Sequence, residues 1–141
     1  MSRIFKTVDD VEDAFYQAFQ EGDMEAMSEV WFRHGEINCV HPMTPELGDL
    51  NSILISWEEI FDNAPEIEIE IEIRNRLEYG DIVVSVVHEY LTIPEDDREH
   101  PPVIATNIYH YANGSWHMIS HHGSAVDRRV SQSEPRPVVI H

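Results

Sequence analysis

The chain has 141 residues, enough for one domain with a buried core. Its 27 acidic against 9 basic side chains give a formal net charge of −18; a surface that negative repels phosphate backbones and anionic lipids, so neither nucleic acid nor a membrane is an expected partner. A single cysteine, Cys39, excludes an internal disulfide, and no apolar run has signal-peptide or membrane-span length, so a cytoplasmic location is expected.

Thr7 is placed to cap a first helix, with Asp9 and Asp10 in its first turn and Val8, Val11, Phe15, Ala18 and Phe19 along one stripe. Gly22 suits its left-handed end, and Asp23 caps a second helix whose stripe is Met24, Met27, Val30 and Trp31, closed by Gly35. Glu36 to His41 reads as a brief strand stopped by Pro42, and MTPELG as a loop. Asp49 caps a third helix with Leu50, Ile53, Leu54, Trp57, Ile60 and Phe61 on its buried side, ending at Ala64-Pro65.

After Pro65 the period changes from 3.6 to 2: Ile67, Ile69, Ile71 and Ile73 face one way and Glu66, Glu68, Glu70 and Glu72 the other. No basic run exists to neutralise four buried glutamates, so they are expected on the solvated face of an edge strand, where they also block pairing with other chains. A turn at Glu78-Tyr79-Gly80-Asp81 leads into DIVVSVVHEYLTI; a polar loop from Glu95 to Pro102 follows, and Asn113-Gly114 joins the last two strands. Three helices followed by long antiparallel strands predict an α+β fold, with the helices on one face of a curved sheet. Residues 1–126 form the single expected domain, and 127–141 an irregular C-terminal extension marked by its prolines.

His41 ends the short strand on the face of Ile37 and Cys39, where an imidazole can act as a base near neutral pH. Alternation puts Asn107 and Tyr109 on one face of their strand, and Trp116, Met118, Ser120 and His122 on one face of the last. The Trp-Met face reads as the dry one, so His122 is expected inward and His121 outward. An amide, a phenol and two imidazoles converging in an apolar lining are what a small-ligand site requires. Trp31 and Trp57 would be its walls, and Cys39 a small apolar lining residue rather than a nucleophile. No zinc-binding, phosphate-cradling or nucleophile motif is present, so neither metal nor cofactor is expected; His41, His88 and His122 would be the alternative metal set.

AFYQAFQEGDMEAMSEVW, CVHP, ISWEEIF and ATNIYHYANGSWHMISHHGSAV, together spanning about residues 8–126, resemble the SnoaL-like proteins of the nuclear transport factor 2-like superfamily. The resemblance implies a cone-shaped fold with three N-terminal helices on the concave face of the sheet, an apolar pocket between, and a homodimer through the outer sheet face. In the similar ketosteroid isomerases an aspartate base ends the short strand and a protonated aspartate stabilises the oxyanion; here His41 stands at the first position and Tyr109 near the second. The implied roles are His41 as base, Tyr109 and Asn107 as oxyanion donors and His122 as a relay, acting on a small hydrophobic or aromatic ligand. The implied function is that of a cofactor-independent isomerase, cyclase or dehydratase. The alternative is a non-catalytic ligand-binding or oligomerisation module resembling the association domain of calcium/calmodulin-dependent kinase II.

Overall fold

A computed structural model describes residues 3–64, 66–96 and 100–126; the extension expected at 127–141 lies outside them. Helix α1 (Val8–Glu21) begins with a reciprocal cap, in which Thr7 accepts from the Asp10 backbone while the Asp10 carboxylate accepts from that of Thr7. It ends at Gly22, whose φ of 65° lets its N–H reach back to the carbonyls of Ala18 and Phe19. Asp23 then caps α2 (Met24–Val30). This helix stops well before Gly35, because Trp31 turns extended and bridges to Met118 at the sheet edge. Strand β1 (Asn38–Val40) and the Asp49-capped α3 (Leu50–Asn63) follow.

The remaining chain is a meander of β2 (Glu68–Tyr79), β3 (Ile82–Thr92), β4 (Val103–Ala112) and β5 (Ser115–Ala125). Spatial order is β1-β5-β4-β3-β2, with β1 parallel to β5 and every other pair antiparallel. The β4–β5 turn takes positive φ at both Asn113 and Gly114, which matches the right-handed twist of the strands it joins. The glutamate-rich strand is an edge strand: Glu68, Glu70 and Glu72 are exposed, while Ile67, Ile69 and Ile71 pack half-buried against the core.

Two bulges interrupt the alternation. Arg74 has no partner across β2–β3, so Arg76 turns to the inner face beside Ser85. Ile119 has none across β4–β5, so Met118 and His121, three residues apart, both face inward opposite Tyr109 and Asn107.

The core lies between the inner sheet face and the helices. Phe15, Phe19 and Trp57 meet edge to face with ring centres 4.8–6.4 Å apart. Trp31, Val11, Met27 and Ile53 are fully buried in the same core. Among the described residues no helix is long and apolar enough to cross a membrane.

Candidate functional site

Helix α1 lays Glu12 and Tyr16, one turn apart, onto inward-facing Ser85 and Glu89 of β3 and Asn107 and Tyr109 of β4. All six are buried, so each polar group needs a partner. Glu12 collects four donors: Arg76 Nη2 at 2.9 Å, Ser85 Oγ at 3.1 Å, the Tyr109 hydroxyl at 2.5 Å and Asn107 Nδ2 at 3.4 Å. Arg76 also binds Asp9 at 2.7 Å, which ties the cluster to the surface.

Glu89 is served differently. The Tyr16 hydroxyl donates to it at 2.6 Å and itself accepts from Asn107 Nδ2 at 2.9 Å. Among the described residues no basic side chain forms an ion pair with it. Burial, reinforced by the nearby charge of Glu12, pushes its carboxyl from an ordinary 4.5 up to about 7, despite the Tyr16 bond. Two buried carboxyls thus differ in kind: Glu12 has a guanidinium counter-charge, and Glu89 can take up or release a proton near neutrality. Burial holds both tyrosines well above the ordinary phenol range, so they remain donors.

The chain of hydrogen bonds continues into β5. Asn107 donates through Nδ2, so its Oδ1 is the acceptor facing His121 Nδ1 at 2.6 Å, and the proton sits on that nitrogen. The Nε2 of His121 therefore carries the lone pair. Burial, then the neighbouring His41 and His122, pull this imidazole down to about 3, so it stays neutral.

His41 lies 6.4 Å from His121 between ring centres, and its edge meets Trp57 at 4.8 Å. Ser56 Oγ gives its hydrogen to the Ile53 carbonyl at 2.6 Å, so in the 2.8 Å contact with His41 Nε2 the imidazole donates. The lone pair of His41 is then on Nδ1. Burial lowers the pKa of His41 below the usual imidazole value.

Of the residues singled out in sequence, His41, Cys39, Asn107, Tyr109, Trp31 and Trp57 are all buried. His41, Trp57 and Asn107 converge around His121. Tyr109 has its hydroxyl committed to Glu12. Burial and the charge of Glu89 push the Cys39 thiol up to about 12, which suits packing rather than attack. Trp31 sits apart, at the sheet edge beside Met118.

The expectation for the paired histidines is overturned: His121 is buried and His122 exposed. Unbroken alternation from Met118 would have turned His122 inward, but the bulge at Ile119 shifts every later residue to the opposite face. An inward relay through His122, or a metal set that included it with His41, is therefore not available. Among the described residues no three His, Cys, Asp or Glu side chains are arranged to hold a metal.

Sequence reasoning also missed Glu12, Tyr16, Arg76, Ser85 and Glu89. For two of them a signal was available, since Ser85 and Glu89 share their alternation with Val83 and Val87.

Comparison with known proteins agrees with this architecture. The sequence profile of the SnoaL-like domain matches residues 8–128. A candidate calcium/calmodulin-dependent protein kinase type II association domain from Thiobacillus denitrificans superposes with a TM-score of 0.84 at 29% identity, covering 89% of this chain and all of that one. A candidate dehydratase of the NTF2-like family from Streptomyces avermitilis gives 0.75 at 27% identity, over 82% of this chain and 91% of that one. The F-box protein SKIP8 of Arabidopsis thaliana is 24% identical over 132 residues, which are 93% of this chain but only 52% of that protein, so the chain spans about half the length of this curated relative. With its α+β architecture, its helices against a curved five-stranded sheet and a profile match over most of its length, the chain belongs to the SnoaL-like domain family of the nuclear transport factor 2-like superfamily.

Proposed function

We propose that the protein binds a small hydrophobic or aromatic molecule at the His41 end of the inner face and acts on it by general acid–base chemistry, as a cofactor-independent isomerase, cyclase or dehydratase. The observation that carries this reading is the buried hydrogen-bonded chain from Glu89 through Tyr16 and Asn107 to His121, with one member able to exchange a proton near pH 7. His41 stands next to that chain with its Nδ1 lone pair free to take a proton from a carbon beside a carbonyl, and Trp57 supplies an apolar wall. In an isomerisation the same imidazole returns the proton at another carbon, so no cofactor enters the balance. His121 Nε2, held neutral by burial, serves as an acceptor that orients the ligand rather than as the base. Tyr109 positions Glu12. The similarity to a candidate dehydratase favours the same class of chemistry.

A second reading has its own support. The inner face is occupied by the protein's own Glu12, Tyr16, Phe15 and Trp57, and a proposed association domain superposes with a TM-score of 0.84. In that reading the chain assembles through its outer sheet face, where half-buried Val84, Val86, Ile104 and Ile108 lie beside exposed Leu77 and Tyr79. A homodimer through this face is compatible with both readings, and a reducing, cytoplasmic compartment suits the single buried thiol.

The test is an NMR titration of the His41 and His121 imidazoles against a panel of hydroxylated aromatic ketones, with sedimentation measured in parallel. Saturable shifts at both rings support the enzymatic reading. Silence at both rings in a protein that sediments as an oligomer overturns it in favour of the assembly module.

A further inference from the structure

A concavity lies at the edge of β5, away from the buried polar chain. The backbone N–H of Phe5 donates to Ser115 Oγ at 2.8 Å, that of Trp116 donates to the Phe5 carbonyl at 2.9 Å, and that of Phe32 donates to the Met118 carbonyl at 2.9 Å. These bonds lay the N-terminal segment and the segment after α2 along the edge of β5. A cavity of about 590 Å³ lies among these segments, α2 and the tip of the β4–β5 hairpin, bordered by Arg3, Trp31, Phe32, Arg33, His34 and His117. His117 pairs across the strands with His110, one step from inward-facing Tyr109 and Met118, so His117 faces outward while α2 and Trp31 border the cavity from the helix side, at the β5 edge of the sheet.

In so acidic a protein its border is formally balanced, with Arg3 and Arg33 against Glu25 and Glu29. Arg74 pairs with Glu72, and Arg76 with Asp9 and Glu12. Arg3 and Arg33 make no ion pair among the described residues, although Glu25 and Glu29 of α2 also border the cavity. Arg33 instead donates to the Ser28 carbonyl at 2.9 Å, and Arg3 lies over the Phe5 ring at 5.0 Å. Guanidinium groups without an ion-pair partner among the described residues, beside an apolar wall, suit the recognition of a flat organic anion. The rings are present: Phe32 sits edge-on to His34 at 6.1 Å and within 6.4 Å of His117, which is also edge-on to Phe5 at 5.8 Å. Burial, then Arg33, then His34 lower the pKa of His117; burial disfavours a charge of either sign, while the contributions of Arg33 and His34 mark the positive side groups at this border.

We propose that this cavity is a binding site for a small aromatic carboxylate, its charged group held among Arg3, Arg33 and His117 and its ring laid against the partly exposed Phe32. The site is separate from the inner-face chain and shares none of its residues.

The probe is benzoate, followed through the His34 and His117 imidazole and Trp31 indole signals of the full chain, with benzamide as its neutral counterpart. Benzoate should shift His117 and Trp31 saturably and bind on the order of tenfold more tightly than benzamide, the scale of one charge-assisted hydrogen bond. Because a bound anion favours the imidazolium of His117, binding should tighten as pH falls from about 8 to about 6. The double variant Arg3→Ala/Arg33→Ala, changed at side chains that form no ion pair among the described residues, should lose roughly tenfold or more in benzoate affinity while leaving His121 unshifted. Absence of a saturable shift, equal response to benzoate and benzamide, or full affinity in the double variant overturns the proposal. Saturation by inorganic phosphate without saturation by benzoate also overturns it, because the aromatic wall would then play no part.

Discussion

Replacing Glu89 by glutamine isolates the titration of one buried group. In the folded chain burial raises this carboxyl from an ordinary 4.5 to about 7, so between those values the native state holds a proton that the unfolded chain has released. The native state binds more protons, and stability therefore falls as pH rises through that window. The stabilisation is fully present below about pH 4.5 and gone above about pH 7. The interval is roughly two and a half pH units, and at ~1.36 kcal/mol per unit it amounts to about 3 kcal/mol. Glutamine keeps the shape and an oxygen for the Tyr16 hydroxyl, which donates to Glu89 at 2.6 Å, but cannot ionise. Urea unfolding of both proteins at fixed concentration, at several pH values from 4.5 to 8, gives the difference between them, in which the carboxylates not coupled to Glu89 cancel. That difference should move in favour of Glu89→Gln by about 3 kcal/mol across the range. A difference that stays constant to within about 0.5 kcal/mol would refute the reasoning, because Glu89 would then titrate alike in the folded and unfolded chain.

Tyr109→Phe removes the hydroxyl that donates to Glu12 at 2.5 Å and leaves a buried carboxylate one donor short. Urea unfolding at neutral pH should show a loss of about 2 kcal/mol, whereas a loss under roughly 0.5 would mean that Arg76 and Ser85 satisfy Glu12 without it. His121, pulled down to about 3, should show in nitrogen-detected NMR a neutral ring protonated on Nδ1 from pH 8 down to about 5; a midpoint near the ordinary imidazole value would contradict its burial on Asn107. Its depressed pKa adds stability that is present above about pH 6.5 and lost as pH falls towards about 3, the opposite direction to Glu89.

Helix positions and strand alternation were legible because each rests on local chemistry. Thr7, Asp23 and Asp49 cap three helices as their side chains allow, and Ile69 and Ile71 of β2 turn to the core while its glutamates stay in water and Ile73, beside the bulge, is left exposed. The end of α2 was not legible. Nothing in the residues around Trp31 stops a helix; the bridge to Met118, far along the chain, does. The buried carboxyls were harder still. Glu12 looks like one more acidic residue on an acidic helix until Arg76, Ser85 and Tyr109 surround it, and those partners lie 64 to 97 residues away.

The histidine pair shows how much one residue decides. A strand read from its pattern assumes an unbroken period of two, and the dry face of Trp116 and Met118 then carries on to His122. Ile119 leaves no mark of its bulge in the sequence, since it is an ordinary strand residue. Partner chemistry supplies the missing evidence. Asn107 faces inward whichever way β5 runs, and once its amide nitrogen is turned to Tyr16, its oxygen needs a buried donor directly across the strands. In the bulged register that position belongs to His121, while an unbroken ladder continued from Tyr109↔Met118 would place Ser120 there. A serine hydroxyl could satisfy the amide, but it would leave no imidazole facing His41 and Trp57. The bulge thus gives the inner face its second histidine, and the same shift by Arg74 in β2 brings Arg76 to Glu12. His121 at one end of the buried polar chain and Arg76 on the neighbouring Glu12 are thus each set by a single unpaired residue in an otherwise regular strand, a device that re-aims side chains next to a site without changing the fold around it.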